Sequence, residues 1–226
     1  MATAKEKNKL TFTIDALSVA REGRLIFEGL STALQEGEIL IFTGSNGSGK
    51  KTLLRTLAGF IPPYAGTVHF DDISIHDNPD IFRTQIALSG HQNGMKAALT
   101  LRKNLKIFSE TSLGIRADDQ NIEAAANALN LKELLDDEVF YFSAGQAHRA
   151  ALAKLPLSGK KIWLMDEPTV GLDSTNRKNL TKIMQDHLKN KGLILVTTHE
   201  DLGIDGHQIC LDSYAPTSHK KGGAHA

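Results

Sequence analysis

A single cysteine, Cys210, serves all 226 residues, so no internal disulfide braces this chain, and a reducing compartment is the expectation. Cys210 itself is expected to act as a small buried hydrophobe near the end of the last strand. An excess of one charge is missing too: 26 basic and 26 acidic residues cancel. No long Lys/Arg run supplies the dense basic face that nucleic-acid binding requires, so no nucleic-acid partner is expected. No stretch approaches the ~18 consecutive apolar residues of a spanning helix. The opening MATAKEKNKL has charge but no apolar segment behind it, unlike a secretion signal. A membrane role would have to pass through another subunit. Linkers, low-complexity tracts and repeats are also lacking between residues 9 and 212, which reads as one domain. The polar ends, residues 1–8 and 213–226, are expected to be disordered.

What is present suffices for one sizeable core, with 41% hydrophobic residues. Leu10 to Leu17 alternates apolar and polar residues like a half-buried strand; Leu25 to Leu34 and Gly66 to Ile75 can add further strands. These predict an antiparallel sheet near the N-terminus. Ile39 to Phe42, Ile162 to Met165 and Leu193 to Val196 are short, continuous apolar runs. Such runs suit strands covered on both faces of a parallel sheet. Helical patterns lie between them at Lys51 to Phe60 and Arg177 to Lys189. A mostly helical insertion, about residues 95–158, interrupts this α/β core. It holds the Ala-rich stretch Asn121 to Leu135 and a helix over Ala147 to Leu155.

The first parallel strand runs into Thr43, then Gly44-Ser45-Asn46-Gly47-Ser48-Gly49-Lys50, and then a helix. Glycines let successive backbone N–H groups curl around a phosphate where side chains would obstruct them. The helix start adds its positive dipole end, and Lys50 a point charge for the outer phosphates. A Gly/Ser-rich connecting turn would look similar alone, but the strand before it and the helix after it favour a phosphate cradle. One position departs from the pattern. Lys51 stands where a Ser or Thr hydroxyl would ligate Mg²⁺, and Thr52 comes one residue late, about 100° further round the helix. An ammonium ~4 Å from the metal repels it by several kcal/mol at an effective dielectric of about 20. Either Lys51 points away, or metal binding and hydrolysis are weakened.

Trp163-Leu164-Met165 leads into Asp166-Glu167-Pro168. Carboxylates at the C-terminal edge of a parallel strand face the crevice where ligands bind. Asp166 is placed to hold Mg²⁺ through water, and Glu167 to orient or deprotonate an attacking water. At the end of GLILVTT, His199 can hydrogen-bond a γ-phosphate, although a strand-end His taken alone is more often an exposed loop residue. A second anion site is suggested by Phe142-Ser143-Ala144-Gly145-Gln146. Ser143 and Gln146 also form a capping-box pattern, yet Gly145 bares the backbone at a helix start. One nucleotide does not need two such ends from one chain. A composite site, with the second end lent by another subunit, explains both.

The order of these motifs, with Gln92 after the phosphate loop and Gly171-Leu172-Asp173 after the carboxylates, resembles the nucleotide-binding subunits of ABC transporters. That resemblance spans roughly residues 10–212. It implies an α/β P-loop NTPase fold of the ABC ATPase type: a mostly parallel core sheet, an N-terminal antiparallel β subdomain and a helical insertion. It also implies two subunits sandwiching two ATPs head to tail, with Mg²⁺. By the same resemblance Gln92 senses Mg²⁺ and meets the transporter. Ser143, Gly145 and Gln146 meet the partner's γ-phosphate, Asp173 the subunit interface, and His199 the γ-phosphate. Finer features are similar to the ATPases of cytochrome c biogenesis (haem export): Ser143 to Gln146, the segment GHQNGMKAALTLRKNL, TTHEDL, and Arg21 where most members place an aromatic against adenine. An Arg plane can stack on a base; an exposed loop arginine explains Arg21 equally well. The implied partners are integral membrane subunits of that system on the bacterial inner membrane. Lys51 departs from this subfamily too. It keeps open an ATP-binding clamp that hardly hydrolyses, and the ATPase of an unrelated importer is a further alternative.

Overall fold

The computed structural model describes residues 10–90, 94–113 and 117–216. In chain order, β1 (Thr11–Arg21), β2 (Arg24–Gln35), β3 (Ile39–Thr43), α1 (Lys50–Leu57), β4 (Ala65–Phe70), β5 (Ile73–Ser74), α2 (Pro79–Thr84) and β6 (Ile86–Ser89) come first. The insertion follows as α3 (Leu101–Leu113), α4 (Asp119–Asn127), α5 (Ala144–Leu152) and α6 (Lys154–Leu157). β7 (Ile162–Asp166), α7 (Ser174–Lys189), β8 (Leu193–Thr197) and β9 (His207–Cys210) follow, then a 3-10 turn, Leu211–Tyr214.

Two sheets result. β1 and β2 join through Glu22-Gly23, both at positive φ (52° and 75°), as a tight turn between right-twisted strands requires. With β4 and β5 they form the expected antiparallel sheet, in the order β2-β1-β4-β5. The second sheet is parallel, ordered β6-β7-β8-β3-β9. The three apolar runs are its central strands, and alternate residues point to opposite faces. Leu40, Phe42, Leu164 and Leu195 pack with α1 and the antiparallel sheet. Ile41, Trp163, Met165 and Val196 pack with the insertion and α7. The parallel sheet is therefore covered on both sides, which is why its strands are continuously apolar.

The insertion is helical as expected, with shifted boundaries. The Ala-rich stretch is α-helical only to Asn127; Asn130 takes a left-handed φ of 54° and turns the chain. The helix expected over Ala147 to Leu155 begins at Ala144, because Ser143 caps it. Pro156 has no N–H to offer the Leu152 carbonyl, so that helix breaks at Ala153 and α6 begins.

Cys210 corrects an expectation. It ends a strand, but it is exposed, because β9 is the outermost strand of the parallel sheet and three of its four residues face solvent. Ser213 and Tyr214 belong to the closing 3-10 turn; residues 1–9 and 217–226, where the remaining expectations for the two ends fall, lie outside the described residues. Among the described residues no helix is long and apolar enough to cross a membrane.

Candidate active site

The phosphate loop is built from β3, α1 and the glycines between them. Gly44, Gly47 and Gly49 hold φ of 139°, 90° and 100°, a region that side chains disfavour. Space excludes side chains as well: a Cβ on Gly49 would lie 2.5 Å from Ile26 Cγ2, and one on Gly44 2.8 Å from Ser48 Oγ. Gly49 is the N-cap of α1 and no side chain caps that end, so the first amides of α1 remain available to an anion. The Lys50 ammonium donates to the carbonyls of Gly44 (2.7 Å) and Ser45 (3.1 Å). Ser48 Oγ is buried without a hydrogen-bond partner. An uncapped helix start, an orphan hydroxyl and a lysine over glycine backbone fit a phosphate chain. Lys51 is exposed and Thr52 half-buried.

Asp212, in the closing 3-10 turn, was not among the residues singled out from the sequence. It accepts from the Ser45 amide (2.8 Å) and the Ser45 hydroxyl (2.7 Å). The Ser45 hydroxyl, then its amide, hold the Asp212 carboxyl below its ordinary pKa, with Cys210 and Lys50 assisting against burial. The chain end thus braces the first bend of the phosphate loop. The two residues lie 167 apart, and only the pairing of β9 with β3 brings them together.

The carboxylates and the histidine leave the same sheet edge. β7, β8 and β3 are neighbours, so Asp166, His199 and the phosphate loop emerge side by side. Thr197 Oγ1 donates to Asp166 Oδ1 at 2.8 Å, fixing that carboxylate. Glu167 has a left-handed φ of 48°, at a cost of about 1–2 kcal/mol for a residue with a Cβ, and its amide is tied to the Thr197 carbonyl at 2.9 Å. His199 Nε2 stands 3.5 Å from Glu167 Oε1. Among the described residues no cluster of His, Cys, Asp and Glu forms a ready-made metal cage.

Ser143 and Gln146 form the full capping box: Gln146 N donates to Ser143 Oγ (3.2 Å) and Ser143 N to Gln146 Oε1 (2.8 Å). A cavity of about 590 Å³ lies between this helix start and the carboxylates, lined by Ala144, Gly145, His148, Asp166 and Glu167. His148 Nε2 bonds the Pro168 carbonyl at 2.9 Å. Arg21, at the end of β1 beside the tight turn, is exposed and pairs with Glu22 at 3.4 Å. Gln92 lies outside the described residues. A larger cavity of about 800 Å³ opens between α4 and α7, next to Trp163 and His187. No Lys or Arg lines it, while Asp118 and Asp186 do, so it does not suit a phosphate. There Trp163 and His187 stack with ring centres 3.7 Å apart, over Gly192, whose Cβ would fall 2.2 Å from His187 Nε2.

A strand, glycine loop and helix beside a strand-end Asp-Glu pair define a P-loop nucleoside triphosphatase. The chain belongs to the ABC transporter family, whose profile matches residues 27–170, as an ATP-binding, ATP-hydrolysing subunit. Among curated proteins it is similar to the cytochrome c biogenesis ATP-binding export protein CcmA of Brucella abortus, with 37% identity over 84% of this chain and 86% of that protein. CcmA of Paracoccus denitrificans is 39% identical over 85% of this chain and 84% of its own length. Two solved structures share the fold. An ABC transporter ATP-binding protein of Pyrococcus furiosus has a TM-score of 0.82 at 22% identity, covering 91% of this chain and all of its own (100%). A bacterial Atm1-family ABC exporter with ATP bound has a TM-score of 0.74 at 21% identity, over 85% of this chain and 35% of its own.

Proposed function

We propose that this chain is the motor subunit of a cytochrome c biogenesis export complex, with residues 9–212 as its nucleotide-binding domain and about 95–158 as the helical part. Two copies close on two ATPs, peripheral to the cytoplasmic face of a bacterial inner membrane, and hydrolysis reopens them against integral membrane subunits. The observation that carries this reading is the convergence of Lys50, Asp166, Glu167 and His199 at one sheet edge, with His199 Nε2 3.5 Å from Glu167 Oε1.

Phosphoryl transfer asks chiefly for positioning and charge stabilisation. The amides from Gly44 to Thr52 cradle the phosphates, and Lys50 exchanges its two carbonyl partners for the outer phosphate oxygens. Glu167 orients the attacking water and accepts its proton; His199 steadies Glu167 and donates to the γ-phosphate. Asp166, preset by Thr197, and Gln92 are the residues that would hold Mg²⁺, which would supply charge neutralisation for the phosphates. Ser143, Gly145 and Gln146 offer their helix start to the nucleotide of the second subunit, and Arg21 lies against the adenine. The exposure of Lys51 supports a side chain held in solvent, away from the metal.

Steady-state ATPase assays with Mg²⁺ test this. Glu167→Gln is expected to lower turnover at least ~100-fold, more than 2.7 kcal/mol in barrier, and to trap an ATP-bound dimer. Lys51→Ser is expected to change turnover by less than ~5-fold. A wild-type chain that scarcely hydrolyses until Lys51 is replaced would make it an ATP-operated clamp. Co-purification of membrane chains unrelated to cytochrome c maturation would point to another transporter.

A further inference from the structure

The segment from Asp166 to Asp173 joins the carboxylates to the turn Gly171-Leu172-Asp173; α5 bonds it directly through His148 and indirectly through Arg149, Asn130 and Asn176. His148 bonds the Pro168 carbonyl (2.9 Å). Arg149 Nη1 donates to the carbonyls of Leu129 (2.8 Å) and Asn130 (3.0 Å). Asn130 Nδ2 donates to Asn176 Oδ1 (3.0 Å). Asn176 Nδ2 then reaches both Asp173 oxygens, each at 3.0 Å, while the Asn176 amide donates to Asp173 Oδ1 at 2.8 Å. Beyond the turn, Arg177 donates to the Leu172 carbonyl and pairs with Glu200, all at 3.0 Å, beside His199. A continuous polar chain therefore runs from the insertion to the segment bearing His199.

Asn130 and Asn176 form the joint where this chain passes from the insertion to the core. Asn176 is only 6% exposed, and both ends of its amide are used, so breaking either bond leaves a buried polar group unpaired. Asn130 sits at a φ of 54°, a conformation that glycine would adopt more easily, and its side chain reaches across to Asn176. Asp173 ionises below its ordinary range chiefly through the Asn176 amide, then through the Asn176 side chain and the charge of Arg149.

We propose that Asn130 and Asn176 are positioning residues of the ATPase: their amide bridge makes the Gly171–Asp173 turn follow α5, so that the helix start offered to one nucleotide and the turn facing the second subunit move as one body. This rests on the composite two-subunit site proposed above. A contiguous bonded path becomes coupling only when perturbing one end moves the other, and that can be measured.

Asn130→Gly keeps the backbone conformation and deletes the amide; Asn176→Ala deletes the other half. In the Glu167→Gln chain, sedimentation with increasing ATP measures dimer formation. Either change is expected to raise the ATP needed for half-assembly ~10-fold or more, with the double variant no worse than Asn176→Ala alone, because Asn130 acts only through Asn176, whereas Asn176→Ala also removes the two bonds to Asp173. The affinity of the single chain for a fluorescent ATP analogue is expected to stay within ~2-fold, which separates loss of the joint from loss of the phosphate site. Normal assembly of Asn130→Gly, or effects that multiply in the double variant, would overturn the proposal. Amide hydrogen exchange reads the joint without any dimer: exchange over Gly171–Arg177 is expected to quicken ~10-fold in Asn130→Gly. Unchanged exchange overturns the joint whatever the assembly does. A parent chain that stays monomeric in saturating ATP while exchange quickens removes the composite site and keeps the joint.

Discussion

The two helices that begin beside glycine-bearing motifs finish their N-termini in opposite ways. α1 starts from Gly49 in a left-handed conformation, with no side chain over its amides. α5 starts from Ser143, which bonds Gln146 reciprocally and satisfies donors at its own end. An anion site consists of donors left without internal partners, so α1 is ready to receive phosphate alone. α5 is satisfied in the single chain, and an incoming phosphate must share or displace its cap. This contrast explains why both a structural and a binding role could be read for Ser143. The cap is present in the single chain; the binding role is the one proposed for an assembly of two.

Three substitutions can break or sharpen the contrast. Lys50→Ala is expected to have the largest effect, lowering ATP affinity at least ~100-fold, about 2.7 kcal/mol, as measured by calorimetric titration. Ser143→Ala comes next. It is expected to leave nucleotide uptake by the single chain unchanged, to lower turnover ~10-fold, and to cost about 1 kcal/mol of stability, a melting shift of about 2–4 °C. If it abolished uptake by the single chain, the two helix starts would be serving one nucleotide and the contrast would fail. Asp212→Ala is the smallest, with ATP affinity reduced ~3-fold by loosening Ser45. A gain in affinity would show that repulsion between this carboxylate and the phosphates outweighs its brace. Because the Asp212 carboxyl is held below its ordinary pKa, it is ionised above about pH 4. The brace is lost only as pH falls through that depressed value, so it should give ATP binding no pH dependence between pH 6 and 8.

The parts of the fold legible in the sequence were those whose signal is local. β3, β7 and β8 each follow a four-residue apolar run into a polar motif, and the edge where Lys50, Asp166, Glu167 and His199 meet follows from placing those strands in one parallel sheet. β6 and β9 gave no such signal. They lie at the two sides of the sheet, and β9 shows mostly exposed residues, which is also why Cys210 was expected inside and stands outside. The pairs Ser45 with Asp212 and Asn130 with Asn176 were illegible for a different reason. Each is a contact between short polar residues on separate elements, and no periodicity or spacing encodes a partner 167 or 46 residues away. Asn130 fell inside the Ala-rich stretch Asn121 to Leu135 and was not singled out.

Trp163 is the only tryptophan, and its ring lies on His187 at the seam between α4 and α7. Burial pushes the His187 imidazole down to about 4, against its bonds to the Lys161 and Leu193 backbone, so that ring stays uncharged across the pH range of most assays. Ultraviolet emission from this one indole, insensitive to imidazole protonation above about pH 5, therefore reports on the packing of this stack at the seam. The protein carries an unlabelled optical gauge of that seam.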